Sequence, residues 1–202
     1  MHRRWFESHI DKFNLSYSNR SDEYHGLSIA GPNSRKVLEK IVRDDVSNEK
    51  FKFRDSRRMF VGGVPAIINR ISFTGELGYE IYVAPHYQLK LYEELMEAGK
   101  EFNIKPFGGR ALMSMRLEKN WGAWTLDYRP DFTAKETGLD AFINWDKEFI
   151  GKESAQKENS SNKLVPLIVE TNEIDVTNNE AVLNGDQSIG LSLIHISEPT
   201  RR

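Results

Sequence analysis

The stretch Gly78-Tyr79-Glu80-Ile81-Tyr82-Val83 places a carboxylate and a phenol two residues apart in a run of β-branched and aromatic side chains. A strand has a side-chain period of two, so Glu80 and Tyr82 share one face while Tyr79, Ile81 and Val83 share the other. The second set is apolar enough to be core. The first offers a hydrogen-bond acceptor beside an aromatic ring, which suits recognition of a ligand rather than burial. Gly75 and Gly78 bracket Glu76-Leu77 just upstream and predict a tight hairpin reversal.

Other residue combinations that could do chemistry lead less far. The five histidines, His2, His9, His25, His86 and His195, include no i, i+4 pair, so no metal site is expected. There is no cysteine, hence no disulfide, thiolate nucleophile or cysteine-ligated metal, and the absence fits a cytoplasmic, reducing setting. His195 and Glu198 stand at i, i+3, but Pro199 follows at once and nothing remains to orient them. No G-x-G-x-x-G occurs; Gly62-Gly63 and Gly108-Gly109 are isolated pairs without the strand-to-helix setting of a dinucleotide site. With 28 basic and 30 acidic residues and a net charge of −2, the chain has no field that would gather nucleic acid or an anionic membrane. No apolar run is long enough for a signal peptide or a membrane span, and the chain reads as soluble.

The elements that must carry Glu80 and Tyr82 are readable in part. His25–Ala30 predicts a strand, Gly31-Pro32-Asn33 a break, and Ser34 to Arg43 a helix with Val37, Leu38, Ile41 and Val42 at helical spacing. Phe51 to Phe60 mixes charge with aromatics and fits no single period, whereas Gly63 to Phe73 predicts a strand with Pro65 near its start. Tyr87 to Phe102 predicts a helix with two adjacent apolar stripes, Leu89-Tyr92-Met96-Gly99 and Leu91-Leu95-Ala98-Phe102. Arg110 to Lys119 predicts another helix. The polar run between Phe149 and Leu164 reads as a linker, followed by a strand at Leu164 to Glu170 and turns at Thr177-Asn178-Asn179-Glu180 and Asn184-Gly185-Asp186. The class is α+β, an antiparallel sheet covered on one side by helices, followed by the start of a small β-barrel domain.

Three separated motifs, G-E-L-G-Y-E-I-Y, F-G-G-R-A-L-M-S-M-R-L-E-K-N-W-G-A-W and G-L-D-A-F-I-N-W-D-K-E-F-I-G-K-E-S, resemble the folate-binding domain of the dimethylglycine and sarcosine dehydrogenase family. That domain is shared with the T-protein, the aminomethyltransferase of the glycine cleavage system. The run Met113 to Trp121 is more similar to the dehydrogenase branch. The resemblance implies a partial aminomethyltransferase-like folate-binding domain over residues 1–155, the beginning of a C-terminal β-barrel over 156–190, and a tail over 191–202 similar to a sequencing-adapter translation.

What the resemblance implies about binding is a tetrahydrofolate site. Glu80 maps onto the glutamate that holds the pterin, with Ile81 and Tyr82 completing the wall; a carboxylate accepts two adjacent pterin N–H groups in parallel. Arg110 maps onto a folate-contacting position, and Phe73 onto a ring-stacking tyrosine, keeping the aromatic face without the hydroxyl. A second folate-side tyrosine falls on Ala141, so that ring is missing unless Phe142 or Trp145 substitutes; Trp121, Trp124 and Tyr128 read as core aromatics. The family's catalytic aspartate and its FAD-bearing domain lie upstream of the segment matching Met1, so no catalytic residue is assigned here. The expected activity of the parent is transfer of the one-carbon unit of an N-methyl amine to tetrahydrofolate, giving methylene-tetrahydrofolate. The alternatives are a T-protein aminomethyltransferase and a non-catalytic folate-binding module. The only partner expected is a small-molecule folate, and an oligomeric parent is compatible with this.

Overall fold

Residues 2–124, 126–170 and 179–193 are described by the computed structural model, and the chain divides into two units. The first comprises Met1–Ser72 with Glu76–Pro106, the second Phe73–Gly75 with Phe107–Arg202.

In the first unit, α1 (His2–His9) precedes β1 (His25–Ala30), α2 (Ser34–Ile41), β2 (Ser56–Val61), β3 (Val64–Asn69), β4 (Gly78–Val83) and α3 (Gln88–Gly99). The four strands form one antiparallel sheet in the order β1-β4-β3-β2. Alternation sorts each strand by face. Met59 and Val61, Val64, Ala66 and Ile68, and Tyr79, Ile81 and Val83 enter one core with Val37 and Leu38 of α2 and Leu91, Leu95 and Ala98 of α3. Phe51, fully buried, stacks on Tyr79 with ring centroids 5.9 Å apart, and the Arg57 guanidinium lies 5.1 Å above the Phe51 ring. The helices therefore cover a single face of the sheet, as the alternation requires.

Several details differ from the sequence reading. The β3–β4 connection is an eight-residue loop, residues 70–77, rather than a tight reversal; Gly78 already belongs to β4. It is glycine because a Cβ there would stand 2.9 Å from the Ile29 carbonyl oxygen. The tight turn lies instead at Gly62-Gly63, which joins the Val61↔Val64 pair with φ of +56° and +78°, the left-handed conformation of a two-residue hairpin loop. β2 overlaps the ambiguous Phe51 to Phe60 stretch and ends one residue beyond it; the pattern is ambiguous because β2 is an edge strand with Arg58 and Phe60 exposed. On α3 only one stripe is fully buried: Leu91, Leu95 and Ala98 are in the core, whereas Leu89 is 68% and Tyr92 42% exposed.

In the second unit, α4 (Gly109–Glu118) ends at Asn120, whose φ of +52° turns the chain. Arg116, 1% exposed, donates to Asp127 Oδ2 at 2.6 Å and to the Trp121 carbonyl at 2.8 Å. Asp127 also accepts from the Ala123 N–H at 2.7 Å, so the pair closes the loop after α4. Trp124 packs edge-to-face on Tyr128, yet Trp121 and Trp124 are 51% and 66% exposed, which corrects their reading as core rings.

The supposed linker is not free chain. Ser160 donates to Glu136 at 2.6 Å, Asn162 donates to the same carboxylate, Thr133 donates to Glu158, and the Leu164 N–H bonds the Glu136 carbonyl. Within it lies a short helix, α5 (Lys152–Gln156). Residues 164–170 are irregular rather than a strand, with Ile168 99% exposed. β5 (Ala181–Asn184) and β6 (Gln187–Leu191) form a hairpin of their own around the anticipated Asn184-Gly185-Asp186 turn. Thr177 and Asn178 of the earlier turn, and His195 and Glu198, lie outside the described residues. Among the described residues no helix is long and apolar enough to cross a membrane.

Removing one partner of the Arg116–Asp127 pair strands a buried charge. Asp127→Ala is expected to lower stability by about 3–5 kcal/mol, read as a shifted urea midpoint in tryptophan fluorescence; an unchanged midpoint would show the pair to be dispensable. In the first unit, Leu38→Ala is expected to cost about 2–5 kcal/mol through the cavity left beneath α2, checked by loss of amide hydrogen-exchange protection in β4.

Candidate functional site

β4 lies between β1 and β3, so each of its outward side chains has a neighbour on both sides. Glu80 stands between Ser28 of β1 and Asn69 of β3, and Tyr82 between Gly26 and Ile67. Both point away from the helices and are half-buried. The Tyr82 hydroxyl donates to Glu80 Oε2 at 2.7 Å, folding the phenol back along its own strand. Gly26 makes room for that ring, since a Cβ there would sit 3.1 Å from Tyr82 Cε1.

The pair is an electrostatic unit. Burial, then the hydrogen bond to Glu80 and the charge of that carboxylate, push the Tyr82 phenol up to about 12. It remains a neutral donor across the physiological range and fixes one carboxylate oxygen, while Oε1 accepts no hydrogen bond from the described residues. A half-buried carboxylate with an open oxygen on a sheet face is an acceptor for N–H donors of a ligand. Beside it a groove of about 470 Å³ is lined by Tyr24, Asp44, Arg58, Phe60, Tyr82 and Tyr87 among others, an aromatic surface with one guanidinium and one carboxylate.

The residues singled out from sequence divide between the units. Glu80 and Tyr82 share the open face, but Ile81 does not: it is fully buried in the core, because a residue between two outward-facing neighbours on a strand must point inward. Its side chain therefore cannot form part of a wall with Glu80, and that expectation is corrected. Phe73 is half-buried in a turn and Arg110 is exposed in the first turn of α4, both in the second unit. There too, Phe142 is 82% and Trp145 38% exposed, at the segment where a family ring falls on Ala141. Among the described residues no three His, Asp or Glu side chains gather as metal ligands.

Three participants on the open face escaped the sequence reading. Ser28, Asn69 and Gly26 flank Glu80 and Tyr82 only through strand register. Alternation within β1 and β3 would have put them on a common face, but nothing local says which strands pair.

Dimethylglycine dehydrogenase, mitochondrial, of Homo sapiens is 35% identical over 194 residues, 93% of this chain and 22% of that protein. An aminomethyltransferase of Bacillus mycoides (strain KBAB4) is 34% identical over 201 residues, 97% of this chain and 54% of that protein. Sarcosine oxidase subunit alpha of Corynebacterium sp. (strain P-1) is 32% identical over 158 residues, 77% of this chain and 16% of that protein. The chain thus spans at most about half the length of these relatives, 54% in the longest case. The family described as the GCVT N-terminal domain matches residues 1–147, reaching across α1 to α4 and the open-face pair of β4, and the chain belongs to that family.

Proposed function

We propose that this chain is the tetrahydrofolate-binding portion of a flavin-dependent dimethylglycine or sarcosine dehydrogenase. The observation that carries the reading is the Glu80–Tyr82 pair: a half-buried carboxylate, oriented by a phenol at 2.7 Å, on the sheet face opposite the core. The donor set fits the group. A pterin presents adjacent N–H donors along one edge, and Glu80 keeps Oε1 open to accept from it, with a remaining lone pair on Oε2. The aromatic groove beside Tyr82 gives a planar ligand an apolar surface to lie on.

In this reading tetrahydrofolate supplies the amine nitrogens that take up the one-carbon unit. The residues of this chain bind and orient it. Glu80 holds the ring edge and Tyr82 fixes the carboxylate rotamer. Holding the acceptor where the reactive one-carbon species is released turns an encounter in solution into a local one. In this reading the flavin chemistry is carried by a part of the longer protein that this chain does not include, the chain covering 22% of the human dehydrogenase. Residues 1–155 are then the folate-binding domain and 156–190 the start of a second, β-rich domain, a division supported by the end of the family match at residue 147 and the separate β5–β6 hairpin.

A T-protein aminomethyltransferase is the second reading, favoured by the match to the Bacillus mycoides aminomethyltransferase over 97% of this chain. The DNA immediately upstream separates the two. An in-frame flavin-binding motif supports the dehydrogenase; a stop codon directly before Met1 overturns it.

Two measurements probe the pair itself. Glu80→Gln is expected to weaken tetrahydrofolate binding by about 10- to 100-fold, the loss of roughly 1.5–3 kcal/mol of charge-assisted hydrogen bonding. Titration calorimetry giving an unchanged Kd would remove Glu80 from the site. The Tyr82 phenol, raised from 10.0 to about 12, contributes stability that is complete below pH 10 and lost as pH rises toward 12. Tyr82→Phe should therefore delete the last phenolate step in a 295 nm absorbance titration; retention of that step would assign the high value to another tyrosine.

A further inference from the structure

On the opposite face of the first unit's sheet, where α2 meets the loop before β2, two guanidiniums converge on one neutral acceptor. Arg35, in the first turn of α2, donates through Nη2 to Asn48 Oδ1 at 2.7 Å. Arg70, one residue past β3, donates through Nη2 to the same oxygen at 2.6 Å. Their remaining bonds hold the same loop and β4: Arg35 Nε reaches the Val46 carbonyl at 3.0 Å and the Tyr79 hydroxyl of β4 at 3.2 Å, and Arg70 Nη1 reaches the Phe51 carbonyl at 2.5 Å. Every acceptor these two side chains reach among the described residues is neutral: two backbone carbonyls, a phenol and a carboxamide. Arg70 Nε is buried without a hydrogen-bond partner. Arg57 nearby is different, for Asp55 stands 3.2 Å from it.

Two full positive charges sharing one amide oxygen repel each other, and the fold holds them together without a carboxylate between them. A guanidinium has five N–H donors in a fixed fork matched to carboxylate and phosphate oxygens, and both forks here keep donors in reserve. The carbonyls of Val46 and Phe51 already fix both rotamers, so an arriving anion finds its donors ordered. We infer that Arg35 and Arg70, with Asn48 between them, form a binding site for a small oxyanion, phosphate or carboxylate. A bound anion would fasten the start of α2 and the end of β3 to the loop of residues 46–51. The site lies on the helix-covered side of the sheet, away from Glu80 and Tyr82, and does not depend on the folate reading.

The test is thermal unfolding of the full chain in sodium phosphate, in sodium acetate and in sodium chloride at matched ionic strength, together with Asn48→Asp. Phosphate or acetate should raise Tm saturably over chloride, by about 3–5 °C at a tenfold excess over Kd. A response to phosphate alone assigns a phosphate site, and a response to both assigns a general oxyanion site. Asn48→Asp sets a carboxylate where the two forks meet, so its Tm in chloride should rise and its response to phosphate and acetate should vanish. The proposal is overturned if the wild-type chain responds no more to these anions than to chloride. It is equally overturned if Asn48→Asp keeps the full wild-type response, since the anion would then bind elsewhere.

Discussion

The period-two alternation of β4 is the constraint on which the rest of the first unit depends. Tyr79, Ile81 and Val83 are buried to 1% exposure or less against the helices, each worth about 1.5–3 kcal/mol of transfer free energy. A slip of one residue in register would exchange them for Glu80 and Tyr82, forcing a carboxylate into the core. The hydrophobic effect on one face thus dictates which groups stand on the other. Nothing on the open face needs to be stable in its own right for Glu80 to be aimed correctly.

The Glu80–Tyr82 bond and the Arg116–Asp127 pair show two ways of keeping a carboxylate in place. Asp127 is matched by a full positive charge and by a backbone N–H, and it closes a loop. Glu80 is held by a neutral phenol on a single oxygen, which orients the group but leaves its charge uncompensated. The first arrangement is complete in itself; the second is arranged to accept more. The contrast separates a structural acid from one available to a ligand more clearly than exposure does.

Much of this was legible in the sequence where burial is one-sided. β1, α2, α3 and α4 follow from periodicity and from the breaks at Gly31-Pro32-Asn33 and Asn120. β2 was obscured because an edge strand carries Arg58 and Phe60 outward, and Arg57, on the inner-face register, stays exposed while lying over the Phe51 ring. Ile81 was assigned to the wall by adjacency to Glu80 within a motif, against the alternation that places it in the core. The link between Glu136 and residues 160–164 escaped because polar chain that bonds a distant carboxylate has the same composition as chain that bonds water. The meeting of Arg35 with Arg70, and the flanking of Glu80 by Ser28 and Asn69, have no local signature at all; they exist only once the strands are paired.

The strand order β1-β4-β3-β2 also bears on how the unit is assembled in time. β2, β3 and β4 are joined in sequence order and can pair as soon as each is made, whereas β1 must wait for β4, as the partnership of Ile29 with Tyr79 shows. Closing so long an intervening segment is entropically slow and raises the contact order of the whole sheet. While the ribosome is still extending the chain, β1 has no strand to pair with and the core shared by α2, β2 and β3 lacks Tyr79, Ile81 and Val83. The interval before β4 emerges is when a chaperone has most reason to hold this polypeptide.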